Sequence, residues 1–167
     1  MANTNMANGF KPVLEGQSPR ISKYGVSGGQ IINTGDMVLL DSSGYIELAT
    51  SSSTYVCGVA ATPVAVTAAA ADSIYVYADP YQHFVGQSSA SALTDPFTCQ
   101  SSASCFDLAG GTGAQYVNQA ATSKDIIKVL NVSVQSDPVT GQEQTPGQYG
   151  RVEFIINPKF HQFSGVI

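Results

Sequence analysis

The stretch that decides the fold runs from Gly35 to Ala49 and reads Gly-Asp-Met-Val-Leu-Leu-Asp-Ser-Ser-Gly-Tyr-Ile-Glu-Leu-Ala. Two apolar runs flank the polar turn Asp41-Ser42-Ser43-Gly44. This pattern is typical of a β-hairpin whose loop needs a glycine in the left-handed conformation. After a Ser/Thr linker, the apolar run Tyr55–Ala60 predicts the next strand. The segment therefore indicates β-structure.

Short apolar runs separated by turn residues continue along the chain, and they predict further strands at 21–26, 72–79, 81–87, 123–134 and 149–158. The stretch 64–71 is ambiguous, because alanine favours a helix while Val64 and Val66 favour a strand. Many short strands with regular turns predict an all-β fold, a small barrel or sandwich. The chain has 167 residues, which suits a single β domain at 21–167 preceded by an arm at 1–20.

Strict alternation is clearest near the carboxyl end of the chain. Val152, Phe154 and Ile156 fall on one face of the predicted strand, so we expect them to form a core strand. Glu153 falls on the opposite face. In the preceding segment, a helical period fits only the start, whereas the alternation of Leu130, Val132 and Val134 predicts a strand.

The first twenty residues show no helical or strand period, and they predict an extended arm. Its apolar residues need a surface to lie on, which is either the protein's own barrel or a neighbouring subunit. We expect the arm to make intersubunit contacts. Three cations at this end, Lys11, Arg20 and Lys23, either dock on an acidic surface or keep the terminus solvated. The candidate interface residues are Phe10, Lys11, Pro12, Val13 and Leu14.

Composition excludes some partners. The net charge of −5 and scattered basic residues argue against nucleic acid, which needs clustered Lys and Arg. Only 11% of residues are charged, so either neighbouring protein covers much of the surface or the protein is a monomer with a Ser/Thr-rich face. The amino-terminal residues do not resemble a secretory signal, and no apolar run is long enough to cross a membrane. We therefore expect synthesis in a cytoplasm and no membrane partner.

The cysteines do not form a recognisable framework. Cys57 lies in an apolar strand and is interpreted as a buried hydrophobe, while Cys99 and Cys105 could close a small loop. A reducing compartment and an odd number of cysteines favour free thiols over a disulfide. Their spacing does not suggest zinc, and no Asp cluster suggests calcium, so no metal or cofactor is predicted.

No catalytic constellation stands out either, and we expect a protein that is not an enzyme. His83 and His161 are far apart in sequence, and Asp79 near His83 is explained by a strand end. The Gly110–Gly113 loop lacks the Lys-Ser/Thr of a phosphate loop, and the many aspartates lie beside turn residues. A sugar or another ligand could stack on Tyr75 and Tyr77, which share one face of their strand.

Five segments, in order along the chain, resemble the capsid decoration (head cement) proteins of tailed bacteriophages. They are Asn8-Gly9-Phe10-Lys11-Pro12-Val13, Thr34-Gly35-Asp36-Met37-Val38, Cys57-Gly58-Val59-Ala60, Tyr75–Pro80 with Phe84 and Gln87, and Arg151–His161. Met37 and the 99–105 insertion depart from that pattern.

The resemblance implies a jelly-roll or β-tulip-like barrel on the capsid exterior. There it would bridge major capsid protein subunits, as a homotrimer at local threefold positions, and stabilise the mature head. A head-fibre base, a tail subunit and a carbohydrate-binding β module remain as alternatives.

Overall fold

A computed structural model describes residues 8–14, 19–68, 72–89, 105–133 and 149–163. The described residues form β-strands, turns and one 3₁₀ helix at Pro158–Phe160. The all-β prediction is thus confirmed. In chain order the strands are β1 (Lys11–Pro12), β2 (Ile21–Gly25), β3 (Ile31–Ile32), β4 (Met37–Leu40), β5 (Ile46–Leu48), β6 (Gly58–Ala60), β7 (Val64–Ala65), β8 (Ser73–Tyr77), β9 (Phe84–Gln87), β10 (Cys105–Ala109), β11 (Tyr116–Asn118), β12 (Ile127–Ser133) and β13 (Arg151–Ile156).

The quoted segment forms the expected hairpin of β4 and β5. In its turn, one carboxylate oxygen of Asp41 accepts hydrogen bonds from the backbone N–H groups of Ser43 and Tyr45, at 2.8 and 2.9 Å. Gly44 has a φ of +82°, a left-handed conformation that other residues rarely adopt. Strand β6 then pairs with β4, as the second apolar run predicts.

The first sheet has five strands in the order β2-β8-β6-β4-β5. A parallel bridge between Val26, just after β2, and Ile46 in β5 joins its first strand to its last. The sheet therefore curls into a small barrel, which we call the first barrel. Its interior is a compact apolar cluster, beside the two-stranded pair β3-β7: Val26, Ile32, Val38, Ile46, Cys57, Ala60, Val66, Ile74, Val76 and Ala78.

The second sheet has six strands in the order β1-β9-β13-β12-β10-β11. It also closes, because Ser88, just after β9, bridges Val117 in β11. We call this closed set, β9 to β13, the second barrel, and β1 is added to its outside along β9. The second cluster combines its interior with Phe10 and with first-barrel residues such as Met37 and Val59, so one apolar core joins the two barrels.

The two barrels have the same topology. Strands β9, β10, β11, β12 and β13 occupy the places of β2, β4, β5, β6 and β8, with the same neighbours and the same parallel closing bridge. Even the hydrogen bond after the bridge is repeated, since Ser27 donates to the Ile46 carbonyl at 2.9 Å and Ser89 to the Val117 carbonyl at 2.8 Å. The register of the ladders makes a few identical residues equivalent: Leu40 and Leu108, Tyr45 and Tyr116, Pro80 and Pro158. The chain therefore contains an internal structural repeat, of which each barrel is one copy.

Strand β13 lies where the alternation predicts. Val152, Phe154 and Ile156 are buried in the second barrel, whereas Glu153 is partly exposed.

The preceding strand is confirmed at Ile127–Ser133, although its side chains do not alternate simply. A β-bulge shifts the register between Val129 and Asn131, so Val129 and Val132 are buried while the intervening Leu130 is only partly buried. An extra residue in one strand breaks simple alternation. Val134 lies outside the described residues. The ambiguous stretch 64–71 is strand at Val64–Ala65, and its last three residues are also outside the described part.

Candidate binding surfaces

The residues of the arm differ in their exposure, and the first of the candidate interface residues is buried. Phe10 is 1% exposed and packs edge-on against Phe154, with 4.9 Å between ring centroids. Its backbone N–H donates to the Gly35 carbonyl at 2.7 Å. Its ring also occupies the space above Gly86, where a Cβ atom would collide with it. The interpretation of Phe10 as an intersubunit contact is therefore wrong for this structure, because the side chain belongs to the protein's own core.

The residues that follow Phe10 do reach the surface. Lys11 and Pro12 pair with β9, and Val13 is fixed by donating to the His83 carbonyl at 2.8 Å. Leu14 is 64% exposed. Because Pro12 has no N–H and β1 is short, this edge is poorly suited to receive another strand. A partner would therefore contact the arm through its side chains rather than by adding a strand to β1.

Another exposed aromatic residue adjoins that surface. Gln82 donates through its side-chain amide to the Val13 carbonyl at 3.0 Å, and the residue before it, Tyr81, is 73% exposed. We call Lys11, Val13, Leu14 and Tyr81 the arm patch. It is a partly apolar surface with one cation. Lys11 pairs with β9, and Val13 is bonded to the His83 carbonyl and to the side chain of Gln82.

A polar side-chain pair lies beside the arm patch. Nδ1 of His83 is 2.7 Å from a carboxylate oxygen of Glu153 on the neighbouring strand β13. The sequence analysis assigned the neighbouring Asp79 no role beyond a strand end, and the sheet register brings Glu153 to His83. Both side chains are partly exposed, so the pair adds little to stability.

The tyrosine pair proposed for ligand stacking is not jointly exposed. Tyr75 is 45% exposed on the outside of the first barrel. Tyr77 lies on the same face but packs against the common core and against Phe84, with 6.4 Å between ring centroids. Because the second barrel covers Tyr77 but not Tyr75, the two rings do not form a joint surface on which a ligand could stack.

A group of aromatic side chains lies where the carboxyl-terminal segment crosses the first barrel. Phe163 stacks on Tyr24 with ring centroids 5.9 Å apart, and Tyr55 approaches Phe160 at 6.3 Å. The side-chain amide of Gln162 bonds both the N–H and the carbonyl of Leu40, at 2.8 and 3.0 Å. These bonds attach the carboxyl-terminal segment to β4, and the aromatic contacts attach it to Tyr24 and Tyr55.

Two buried polar side chains connect the barrels, and sequence reasoning missed both. Asp36 is fully buried and accepts hydrogen bonds from the backbone N–H groups of Asn33 and Gly113. Burial raises the pKa of its carboxyl group, although these two hydrogen bonds oppose the shift. Gln115 accepts from the Met37 N–H at 2.5 Å and donates to the Ala49 carbonyl at 2.8 Å. The Gly110–Gly113 loop is thus a connector between barrels.

A third buried polar side chain, the carboxylate of Asp107, organises a loop. Asp107 accepts hydrogen bonds from the backbone N–H groups of Ser123, Lys124 and Asp125 and from the Ser123 hydroxyl, at 2.7–3.2 Å. Burial pushes its pKa upward, but the hydrogen bonds outweigh burial and lower it. The sequence interpretation of Asp107 as a turn residue is not met, because Asp107 lies within β10 and its side chain bonds residues 16–18 positions further along the chain.

His161 is buried against the first barrel, and its surroundings favour the neutral form of the imidazole over the protonated form. Burial lowers its pKa from 6.5 to about 4, while the charge of Asp79 acts weakly in the opposite direction. Its Nδ1 accepts a hydrogen bond from the Phe163 N–H at 3.1 Å, which a protonated nitrogen could not do.

We expect this histidine to make folding pH-dependent. The unfolded chain binds a proton near pH 6.5 but the folded chain only near pH 4, so the stabilisation is complete above pH 6.5 and is lost as the pH falls through this window. The loss is up to about 3 kcal/mol, at about 1.4 kcal/mol for each unit of pKa. Urea unfolding at pH 7.0 and 4.5 measures it, and His161→Gln should reduce the difference. An equal difference in the variant would contradict the assignment.

The described cysteines, Cys57 and Cys105, are free thiols. Burial raises the pKa of Cys57 to about 12. The pKa of Cys105 is also raised, by burial and by the nearby Asp125. Cys99 lies outside the described residues, so the absence of a 99–105 disulfide stays a prediction.

We expect Cys57 to resist modification in the folded protein, because the thiolate is the reactive species. Mass spectrometry after brief iodoacetamide treatment at pH 8 should find Cys57 unmodified, and treatment in urea should modify all three cysteines. A Cys99–Cys105 linked peptide would contradict the free-thiol prediction. Rapid native alkylation of Cys57 would contradict its burial.

Within the described ranges, no three His, Cys, Asp or Glu side chains are grouped so that they could hold a metal ion. The described residues also include no helix long and apolar enough to cross a membrane. A scan against protein-family models and a search of curated proteins found no match to this chain.

Proposed function

We propose that this protein is a non-enzymatic structural component of a tailed-phage virion. It binds the outside of the icosahedral head, as a homotrimer, and cements neighbouring major capsid protein subunits. The resemblance in five segments supplies the partner. The arm patch is the observation that carries the proposal, because it is exposed, partly apolar and attached to β9 through the backbone of the arm.

The arm has one buried residue that anchors it and several exposed residues that can contact a partner, and this arrangement supports the proposed role. Phe10 anchors the segment in the core, and the residues after it are displayed in one orientation. Because the segment is already ordered by pairing with β9, binding loses little conformational entropy. Leu14 and Tyr81 then offer exposed apolar area beside the cation of Lys11. A sparsely charged surface is also compatible with close contact to other subunits.

The first test is whether the protein is a virion component. Purified heads should contain it at a near-stoichiometric ratio to the major capsid protein, and heads assembled with it should melt at a higher temperature than heads without it. Attachment should depend only weakly on salt, since few basic residues are available. Identical melting transitions, or a protein found inside the shell, would contradict the proposal.

The second test locates the contact. Leu14→Asp and Tyr81→Asp should each reduce retention on heads at least tenfold, because a charge would be buried at the interface. Ile31→Asp is the matched control, since Ile31 is 62% exposed on the separate β3-β7 pair. Circular dichroism should show all three variants folded. Equal retention of the three would remove the arm patch as the contact.

A further inference from the structure

The internal repeat allows the two barrels to be compared edge by edge. Alignment through the sheet registers makes Lys23 of β2 equivalent to Val85 of β9, and Ile21 equivalent to His83. In the second barrel, Val85 pairs with Lys11 of β1, and the His83 carbonyl accepts from Val13. The second barrel therefore carries an added antiparallel strand on this edge.

The equivalent edge of the first barrel has no such strand in the described part of the chain. Tyr75 directs its backbone towards 61–62, because its carbonyl accepts from Ala61 at 2.7 Å and its N–H donates to the Thr62 hydroxyl at 3.2 Å. Two residues directly opposite each other in an antiparallel pair either form hydrogen bonds with each other, or the backbone N–H and C=O groups of both point away from the pair. Lys23 lies opposite Tyr75, so the N–H and carbonyl groups of Lys23 and Ile21 point outward from β2.

The first barrel does not need the arm to complete its core. Phe10 fills the space above Gly86 in the second barrel, but the residue equivalent to Gly86 is Tyr24. Tyr24 packs against the interior of the first barrel and is stacked by Phe163. In the first barrel, the barrel's own Tyr24 thus takes the place that Phe10 takes in the second barrel. Within the described residues, the first barrel lacks only a strand paired with the outward backbone groups of β2.

We propose that the outer edge of β2, residues 21–24, binds an extended acidic segment of a partner protein as an additional antiparallel strand. The partner's chemistry follows from the exposed side chains along this edge. Arg20 and Lys23 are exposed cations, and Ile21 and Tyr75 are 47% and 45% exposed. Asp72 is the acidic residue at the Gly25 end of the pairing. A segment that alternates carboxylates with β-branched residues complements this surface.

A second copy of the chain suits this edge less well. Two β2 strands paired with each other would bring Arg20 and Lys23 of both copies together, and lysine on a sheet edge is a common protection against such self-pairing. The same lysine is favourable opposite a carboxylate.

The test uses the purified protein and a synthetic peptide, acetyl-Val-Glu-Val-Glu-Val-Glu-amide, followed by ¹⁵N NMR. We expect the largest shifts at the amides of Ile21 and Lys23. Lys23→Pro removes an outward N–H without removing a bond to β8, and it should weaken binding at least tenfold. Lys23→Thr keeps the donor and should weaken binding less. A peptide with lysine in place of glutamate should bind at least tenfold more weakly.

A peptide with alternate backbone amides methylated makes the test independent of variant folding, since it cannot pair as a strand. Equal binding of this peptide, shifts elsewhere on the protein, or no binding at millimolar concentration would overturn the inference. A concentration-dependent dimer abolished by Lys23→Pro would replace the partner segment with a second copy. No phage particle enters these measurements, so their outcome is separate from that of the proposed function.

Discussion

Replacing Phe154 by alanine should lower the free energy of unfolding by about 3–5 kcal/mol, the range for removal of a buried aromatic ring. Phe154 is fully buried on β13, between Phe10 at 4.9 Å and Phe84 at 5.9 Å. Truncation would leave a cavity where the arm meets the second barrel. A loss of this size is a large fraction of the total stability of a typical domain.

Urea unfolding followed by circular dichroism measures the change, and Glu153→Gln is the neighbouring control on the same strand. That substitution alters a partly exposed contact with His83, so its cost should stay within about 1 kcal/mol. Similar midpoints for Phe154→Ala and Glu153→Gln, both near that of the unaltered protein, would refute the assignment of the two faces of β13.

Phe10→Ala should be destabilising by a similar amount, about 3–5 kcal/mol. Deletion of residues 2–14 should be destabilising too, although the sequence predicts only intersubunit contacts for the arm. The ring of Phe10 is part of the second barrel's core, and deletion would also remove β1 from the edge of β9. The truncated protein should therefore be at least as unstable as Phe10→Ala.

Leu14→Ala is the control within the arm, because that side chain is 64% exposed and its loss should change stability by no more than about 0.5 kcal/mol. A double variant of Phe10 and Phe154 should lose less than the sum of the single losses, since the two rings share one contact. A truncated protein that melts with the full-length chain would show that Phe10 does not contribute to the core.

The predictable parts of the fold are local. The 35–49 hairpin is encoded by its turn residues, where Asp41 and Gly44 act within a few positions of each other. Strand β13 is encoded by simple alternation, which places every second side chain in the core. The bulge near Leu130 was not predictable from the same rule, because a bulge is specified by what the partner strand can accommodate.

The candidate surfaces were predictable only in part. The apolar residues of the arm mark it as a segment that lies on protein, but nothing in the sequence separates Phe10, which is buried, from Leu14, which is exposed. Burial of Asp36 and Gln115 depends on residues 77 and 78 positions away in the chain. No local pattern signals such a bond, so these two connectors resemble ordinary polar loop residues until the barrels pack.

The sequence by itself determined the all-β class, the central hairpin and the inward face of β13, because turn chemistry and alternation act over a few residues. Only the tertiary structure decided that the strands form two barrels of equal topology, and that the arm completes one of them. A barrel interior requires apolar side chains of suitable total volume and tolerates many combinations of them. The repeat is therefore preserved in strand pairing and closing bridges, while few of its equivalent residues are identical.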